Sequence, residues 1–111
     1  PSLPVITQAP EVSISACYNY PNPTYNGKTT IRVEFSGSTS ATLEISIYDA
    51  AGDLVREGLK QKASGSNFVE CPWDGRNGNG RQVANGVYFA RCIIDDGTKK
   101  TARLIKIAVL K

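Results

Sequence analysis

The sequence predicts an all-β fold: a single seven-stranded antiparallel β-sandwich of the immunoglobulin or fibronectin type III kind. Three observations predict it. Apolar and polar residues alternate along most of the chain, the period of a half-buried strand. Turn chemistry separates the runs at short intervals, which suits a sandwich. Helix signals are confined to DAAGDLVREGLKQKA, where Gly52 and Gly58 interrupt a loose apolar face. The 111 residues are 41% apolar and 21% charged, a globular balance for one core.

The elements follow in order. Residues 1–11 hold three prolines among PSLPVITQAP and no period, as an extended interdomain linker does. The domain proper runs over 12–111. Val12, Ile14, Ala16 and Tyr18 form one face of a first strand. NYPNP then stops it, because each proline lacks a backbone donor. Ile31, Val33 and Phe35 face inward on the second strand, with Arg32 and Glu34 opposite. Leu43, Ile45 and Ile47 do so on the third. A short Leu54–Leu59 strand follows, then Phe68–Trp73, Val87–Asp95 and Lys99–Leu110. The junctions carry Asn26-Gly27, Gly52-Asp53, Asn77-Gly78-Asn79-Gly80, Asn85-Gly86 and Asp96-Gly97. Asp95-Asp96-Gly97 between two long strands reads as a tight hairpin. Tyr88, at the start of the sixth strand, is placed for a tyrosine corner, ring buried and hydroxyl on nearby backbone.

Cys17, Cys71 and Cys92 form no Cys-x-x-Cys pair, and the chain has no histidine; a structural zinc site is not expected. Alternation turns Cys71 and Cys92 inward, so they read as buried free thiols. A Cys71–Cys92 or a Cys17–Cys92 bridge is the alternative.

The chemistry of most enzymes is missing. Without histidine there is no Ser-His-Asp or Cys-His machinery, and neither a G-x-S-x-G elbow nor a Walker loop occurs. A noncatalytic protein without cofactor is expected. No basic stripe is interleaved with aromatics, so nucleic acid is not an expected partner. No apolar run reaches the roughly 20 residues of a membrane-spanning helix. The loop DGRNGNG offers Asp74, Asn77 and Asn79 as calcium ligands, but lacks the first acid and the bidentate glutamate of an EF-hand. It reads as a glycine-rich hairpin loop, with no metal.

The last strand is informative. Ile105, Ile107 and Val109 form one face, while Leu104, Ala108 and Leu110 are apolar on the other. From Gly97 onward there are five basic residues, Lys99, Lys100, Arg103, Lys106 and Lys111, and no acid. Lysines guard sheet edges; the same charges would also suit an acidic partner. The chain opens on Pro1 and holds no methionine, which reads as a piece of a longer protein.

Taken together, YNYPNPTYNGKTTIRVEF, LEISIYDAAGDLV, VECPWDGRNGNGRQVANGVYFARC and KTARLIKIAVLK resemble small C-terminal immunoglobulin-like domains of secreted bacterial proteins. Two similar groups are the immunoglobulin-like domain of the flagellar hook-scaffolding protein and the C-terminal sorting domain of the type IX secretion system. The elements carrying the resemblance include Pro21, Asn22, Pro23, Gly52, Trp73, Asp74, Gly75, Gly86 and Tyr88.

The resemblance implies a noncatalytic domain of a secreted or cell-surface protein, acting as a sorting or attachment signal. Secretion machinery would recognise the last strand through Leu104, Lys106, Ala108, Leu110 and Lys111, with strand addition at an edge as one mode. The preceding domain of the same polypeptide is the other expected partner, and the isolated domain is expected to be monomeric. Such domains are often cleaved after export near the preceding linker, here within Pro1–Pro10 or just before it. Two alternatives are a spacer packing through Leu104, Ala108 and Leu110, and a carbohydrate-binding module using Tyr18, Tyr20 and Tyr25.

Overall fold

The computed structural model describes residues 12–37, 40–65 and 67–111; the linker expected over 1–11 lies outside them. Seven strands form, β1 (Ser13–Tyr20), β2 (Thr29–Ser36), β3 (Ser40–Asp49), β4 (Leu54–Ser64), β5 (Phe68–Trp73), β6 (Gly86–Asp95) and β7 (Lys100–Val109). They make two antiparallel sheets, ordered β1-β2-β5 and β4-β3-β6-β7. The expected sandwich is the observed fold. Ile31, Val33, Phe35, Leu43, Ile45, Ile47, Ile94, Ile107 and Val109 are almost wholly buried between the sheets. Burying each such side chain contributes about 1.5–3 kcal/mol before the entropy of ordering is subtracted.

Two strands depart from simple alternation, for the same reason. On β1 the register slips between Ile14 and Ala16, leaving Ser15 as an extra residue. Its hydroxyl donates to the Glu34 carbonyl at 3.1 Å. A bulge shifts every later side chain to the opposite face. Val12 and Ile14 are buried as expected, but Cys17 and Asn19 then turn inward. Ala16 and Tyr18 leave the face that plain alternation assigns them.

On β4 the register slips twice against β3, between Ile45 and Ile47 and between Ile47 and Tyr48. Gly58, at φ 79°, supplies the left-handed backbone for the first. Val55, Leu59 and Ala63 reach the core, while Glu57 and Gln61 between them are exposed, so the apolar residues recur every fourth position, the spacing of a helix. The strand extends to Ser64, five residues beyond the Leu59 limit that alternation suggests.

The β6–β7 hairpin forms as expected, with Asp95 opposite Lys100. The Asp96 carboxylate closes it by accepting from the Thr98 and Lys99 amides at 2.8 and 2.6 Å. By contrast, DGRNGNG does not join two paired strands. β5 and β6 belong to different sheets, so the loop is a crossover with a small hairpin of its own, bridged between Arg76 and Gln82.

Candidate functional site

The NYPNP segment packs against the last strand. Both the Tyr20-Pro21 and Asn22-Pro23 peptides are cis. Asn22 projects its amide onto the outer edge of β7. Its nitrogen donates to the Lys106 carbonyl at 3.1 Å and its oxygen accepts from the Ala108 amide at 3.0 Å. Thr24 continues the pairing through its backbone, donating to the Ala108 carbonyl and accepting from the Leu110 amide, both at 2.9 Å. Beneath this segment lies a buried polar knot. Asn19 donates to the Thr29 hydroxyl at 3.0 Å, and Thr29 donates to the Pro21 carbonyl at 3.0 Å.

Residues 106–110 of the last strand are therefore not a free edge. The proline-bracketed segment covers an edge of β7, which blunts it against further pairing. Strand addition at this point would have to displace Asn22–Thr24.

What β7 leaves open is a face of side chains. Leu104, Lys106, Ala108 and Leu110 alternate, so all four point away from the core. Leu104 is 61% exposed and Leu110 47%. The register sets Arg91 opposite Leu104, Phe89 opposite Lys106 and Val87 opposite Ala108, and Tyr48 of β3 opposite Phe89. These neighbours extend the face across three strands. They were not evident from the sequence, because cross-strand partners depend on register; the pairing of β6 with β7 in a hairpin was the signal that could have found them. Among the described residues Arg91 and Lys106 make no ion pair, so the face is apolar with a positive balance at its centre.

Lys111 does not join this face. Its ammonium donates to the Val83 carbonyl, its amide donates to Asn85 Oδ1 at 2.9 Å, and the Asn85 amide donates to its carbonyl at 3.4 Å. It ties the chain to the crossover loop.

The motif residues of that loop are structural. Trp73 is 1% exposed, donates its indole N–H to the Arg76 carbonyl at 3.0 Å, and meets Tyr88 edge-on at 5.9 Å between centroids. Tyr88 donates to the Ala84 carbonyl at 2.7 Å, the corner bond the sequence foretold. Gly75 lies against the backbone of Gly27, and its carbonyl accepts from Val83 at 2.9 Å. Gly52, at φ 89°, turns β3 into β4 and donates to the Asp49 carbonyl at 3.0 Å. Gly86, at φ 155°, opens β6 in open space.

The loop's oxygens are engaged by its own backbone and a neighbouring guanidinium. Asp74 Oδ1 accepts from the Arg76 amide at 3.0 Å and from Arg56 at 3.3 Å. Asn77 Oδ1 accepts from the Asn79 and Arg81 amides at 2.9 and 3.0 Å. Among the described residues no cluster of three acids, cysteines or histidines could hold a metal ion. These bonds account for the shape of the loop without an ion.

On the other sheet, Tyr18 and Tyr20 are exposed, 6.2 Å apart and tilted by 40°. Their hydroxyls donate to Glu34 at 3.2 Å and to Glu70. Arg32 bridges the two carboxylates at 3.1 and 3.4 Å and stacks 4.0 Å above the Phe68 ring. Tyr25, 69% exposed, makes no ring contact with them among the described residues. The aromatics are not a coplanar row.

The family model described as the FlgD Ig-like domain matches residues 22–91. The chain belongs to that family. Similar solved structures agree with the match. Dimeric latent PorU from Porphyromonas gingivalis is 26% identical with a TM-score of 0.72, over 85% of this chain and 9% of that one. PorZ from the same organism, an essential bacterial surface component of its type IX secretion system, is 28% identical with a TM-score of 0.52, over 86% and 12%. FlgD from Xanthomonas campestris, described in the context of hook capping, is 26% identical with a TM-score of 0.61, over 86% and 66%. This FlgD-type domain thus spans only a small part of the PorU and PorZ chains. A comparison with curated proteins found no match. The immunoglobulin-like domain of this family is noncatalytic; PorU, PorZ and FlgD tie it to secretion-system and flagellar proteins, while a likeness to Parabacteroides merdae β-glucuronidase, at 11% identity, is one of fold alone.

Proposed function

We propose that this domain is a sorting and surface-attachment signal within a larger exported protein. The supporting observation is the outer face of β6 and β7. Leu104, Lys106, Ala108 and Leu110 stand beside Val87, Phe89 and Arg91 in a patch that the sandwich itself does not use. Exposed apolar groups in one patch mark interaction sites more often than scattered ones do. Similarity to PorU and PorZ directs the reading to export machinery. Recognition is by side chains on the folded domain, because Asn22–Thr24 already occupy the adjoining edge.

The test is export of a fluorescent reporter carrying residues 1–111 behind a signal peptide, in a bacterium with type IX machinery. Deleting 105–111 would remove Ile107 and Val109 from the core, so the comparison is a Leu104→Glu, Lys106→Glu double substitution on the open face. Surface delivery of the parent with retention of an equally stable variant supports the signal. Periplasmic retention of a folded parent sinks it for that host.

A second reading, a spacer or assembly module, is favoured by the FlgD similarity, where the match spans 66% of the related chain. The same face would then pack on a neighbouring domain. A domain that is not exported, but loses solubility-neutral contact with its natural neighbour on Leu104→Glu substitution, would support it.

A further inference from the structure

Two cations sit side by side on the open face of β6 and β7 with no acid of their own. The register sets Phe89 opposite Lys106 and Arg91 opposite Leu104. Arg91 and Lys106 are therefore diagonal neighbours on one face, within reach of each other's long side chains. Both are exposed. Other lysines on this sheet are matched: Lys100 lies 3.9 Å from Asp95, and Lys60 3.9 Å from Glu44. Glu44 is also a diagonal neighbour of Arg91 across β3, yet its ion pair is with Lys60. Ser46, directly opposite Arg91, carries no charge. Among the described residues neither Arg91 nor Lys106 has an ion-pair partner. Apolar groups surround the same two cations. Phe89 and Leu104 complete the square, and Val87 and Ala108 lie one step along the ladder.

We infer that Arg91 and Lys106 together receive a carboxylate, the Asp or Glu side chain of a partner protein whose surrounding surface is apolar. This rests on the reading of the face as a recognition surface and names the chemistry of what it recognises. Charge complementarity selects the acid. Two cations brought together across a ladder repel, and one anion between them turns that repulsion into two attractions. The guanidinium can hold both carboxylate oxygens, while the ammonium adds a compact charge. Phe89 and Leu104 would shed water with the partner's apolar groups and so shield the pair from solvent, as the rim of an interaction hot spot does.

A protein fits this face better than an anionic lipid surface. A membrane would lie across the whole sheet and meet the carboxylates of Glu44 and Asp95, which remain 50% and 38% exposed. A single acidic side chain reaches the central pair alone.

The test is coupling by a water-soluble carbodiimide, which joins an amine to a carboxylate where the two touch. In the purified 111-residue chain it should join Lys100 to Asp95 and Lys60 to Glu44 and leave Lys106 free, so the first two links serve as internal controls. In intact cells carrying the export fusion, peptide mapping should find Lys106 joined to an Asp or Glu of a different protein, among apolar residues. Arg91→Gln should reduce that link about tenfold, with an unchanged Tm. Lys100→Gln should leave it as it was. Lys106→Arg, which carbodiimide does not couple, should lose the link and keep export, because the charge remains.

Export and coupling are scored in the same cells, which separates the two readings. An exported parent with Lys106 uncoupled would overturn the carboxylate and leave the sorting signal standing. A parent retained in the periplasm would sink the sorting signal; its Lys106 link, present or absent, would still support or overturn the acidic partner. Coupling of Lys106 to a second copy of this chain would overturn the inference. So would binding of the purified chain to phosphatidylglycerol vesicles that Arg91→Gln abolishes, since the cations would then serve a membrane.

Discussion

The side chain of Asn22 takes the place of a neighbouring strand for Ala108: it accepts from that residue's amide while donating to the Lys106 carbonyl. One amide thus satisfies both groups of a β7 edge repeat. Asn22→Ala should cost about 1–2 kcal/mol, since two net hydrogen bonds are lost at a solvated position. The Tm should fall by roughly 5–10 °C, and hydrogen exchange at Ala108 should accelerate. Unchanged exchange there would show that Thr24 alone holds the edge.

Gly75 and Gly27 make a second junction, between the crossover loop and the segment leading into β2. A Cβ added at Gly75 would lie 2.0 Å from the Gly27 carbonyl oxygen, and Gly75 has φ 73°. Alanine there meets both a backbone clash and a left-handed conformation. Gly80, at φ 81°, has nothing within 4 Å of an added Cβ. Gly80→Ala should cost about 1 kcal/mol, whereas Gly75→Ala should cost about 3 kcal/mol or more. Urea midpoints compare them directly; equal losses would mean the clash relaxes without strain.

The tyrosine corner offers a narrower test. Tyr88 is 8% exposed and its hydroxyl reaches the Ala84 carbonyl. Tyr88→Phe keeps the ring against Trp73 and removes only that bond. Because Ala84 is exposed, water can replace the donor, and the loss should be about 1 kcal/mol. A loss several times larger in urea unfolding would mean that the hydroxyl organises the loop rather than merely capping it.

The inward faces of β2, β3, β5, β6 and β7 were legible because those strands keep a strict period of two. The tyrosine corner was legible because Tyr88 opens such a strand after a turn. What alternation could not show was set by inserted residues. Ser15 on β1 redirects Cys17 and Asn19, and the slips around Gly58 break the register of β4 against β3. The open face was only half legible: Leu104, Ala108 and Leu110 show in β7 alone, but Phe89, Val87 and Tyr48 join them only through register. Asn22 carried no sign of its partners, which lie more than eighty residues away in sequence.

The last prediction concerns pH. Tyr20 donates to Glu70, which Arg32 also holds at 3.4 Å. The shared bond raises the Tyr20 pKa and lowers that of Glu70. A raised tyrosine contributes stability that is fully present below its unfolded pKa of about 10 and lost as pH climbs through the higher folded value. A lowered glutamate contributes stability present above about 4.3 and lost as pH falls through the lower folded value. The pair should therefore leave stability flat between those limits and erode it on both sides. Glu70→Gln should return one tyrosine to the ordinary range in a phenolate absorbance titration. Tyr88, raised by burial instead, should stay late in the same experiment. If Glu70→Gln leaves every tyrosine where it was, solvent screens the pair too well for the bond to matter.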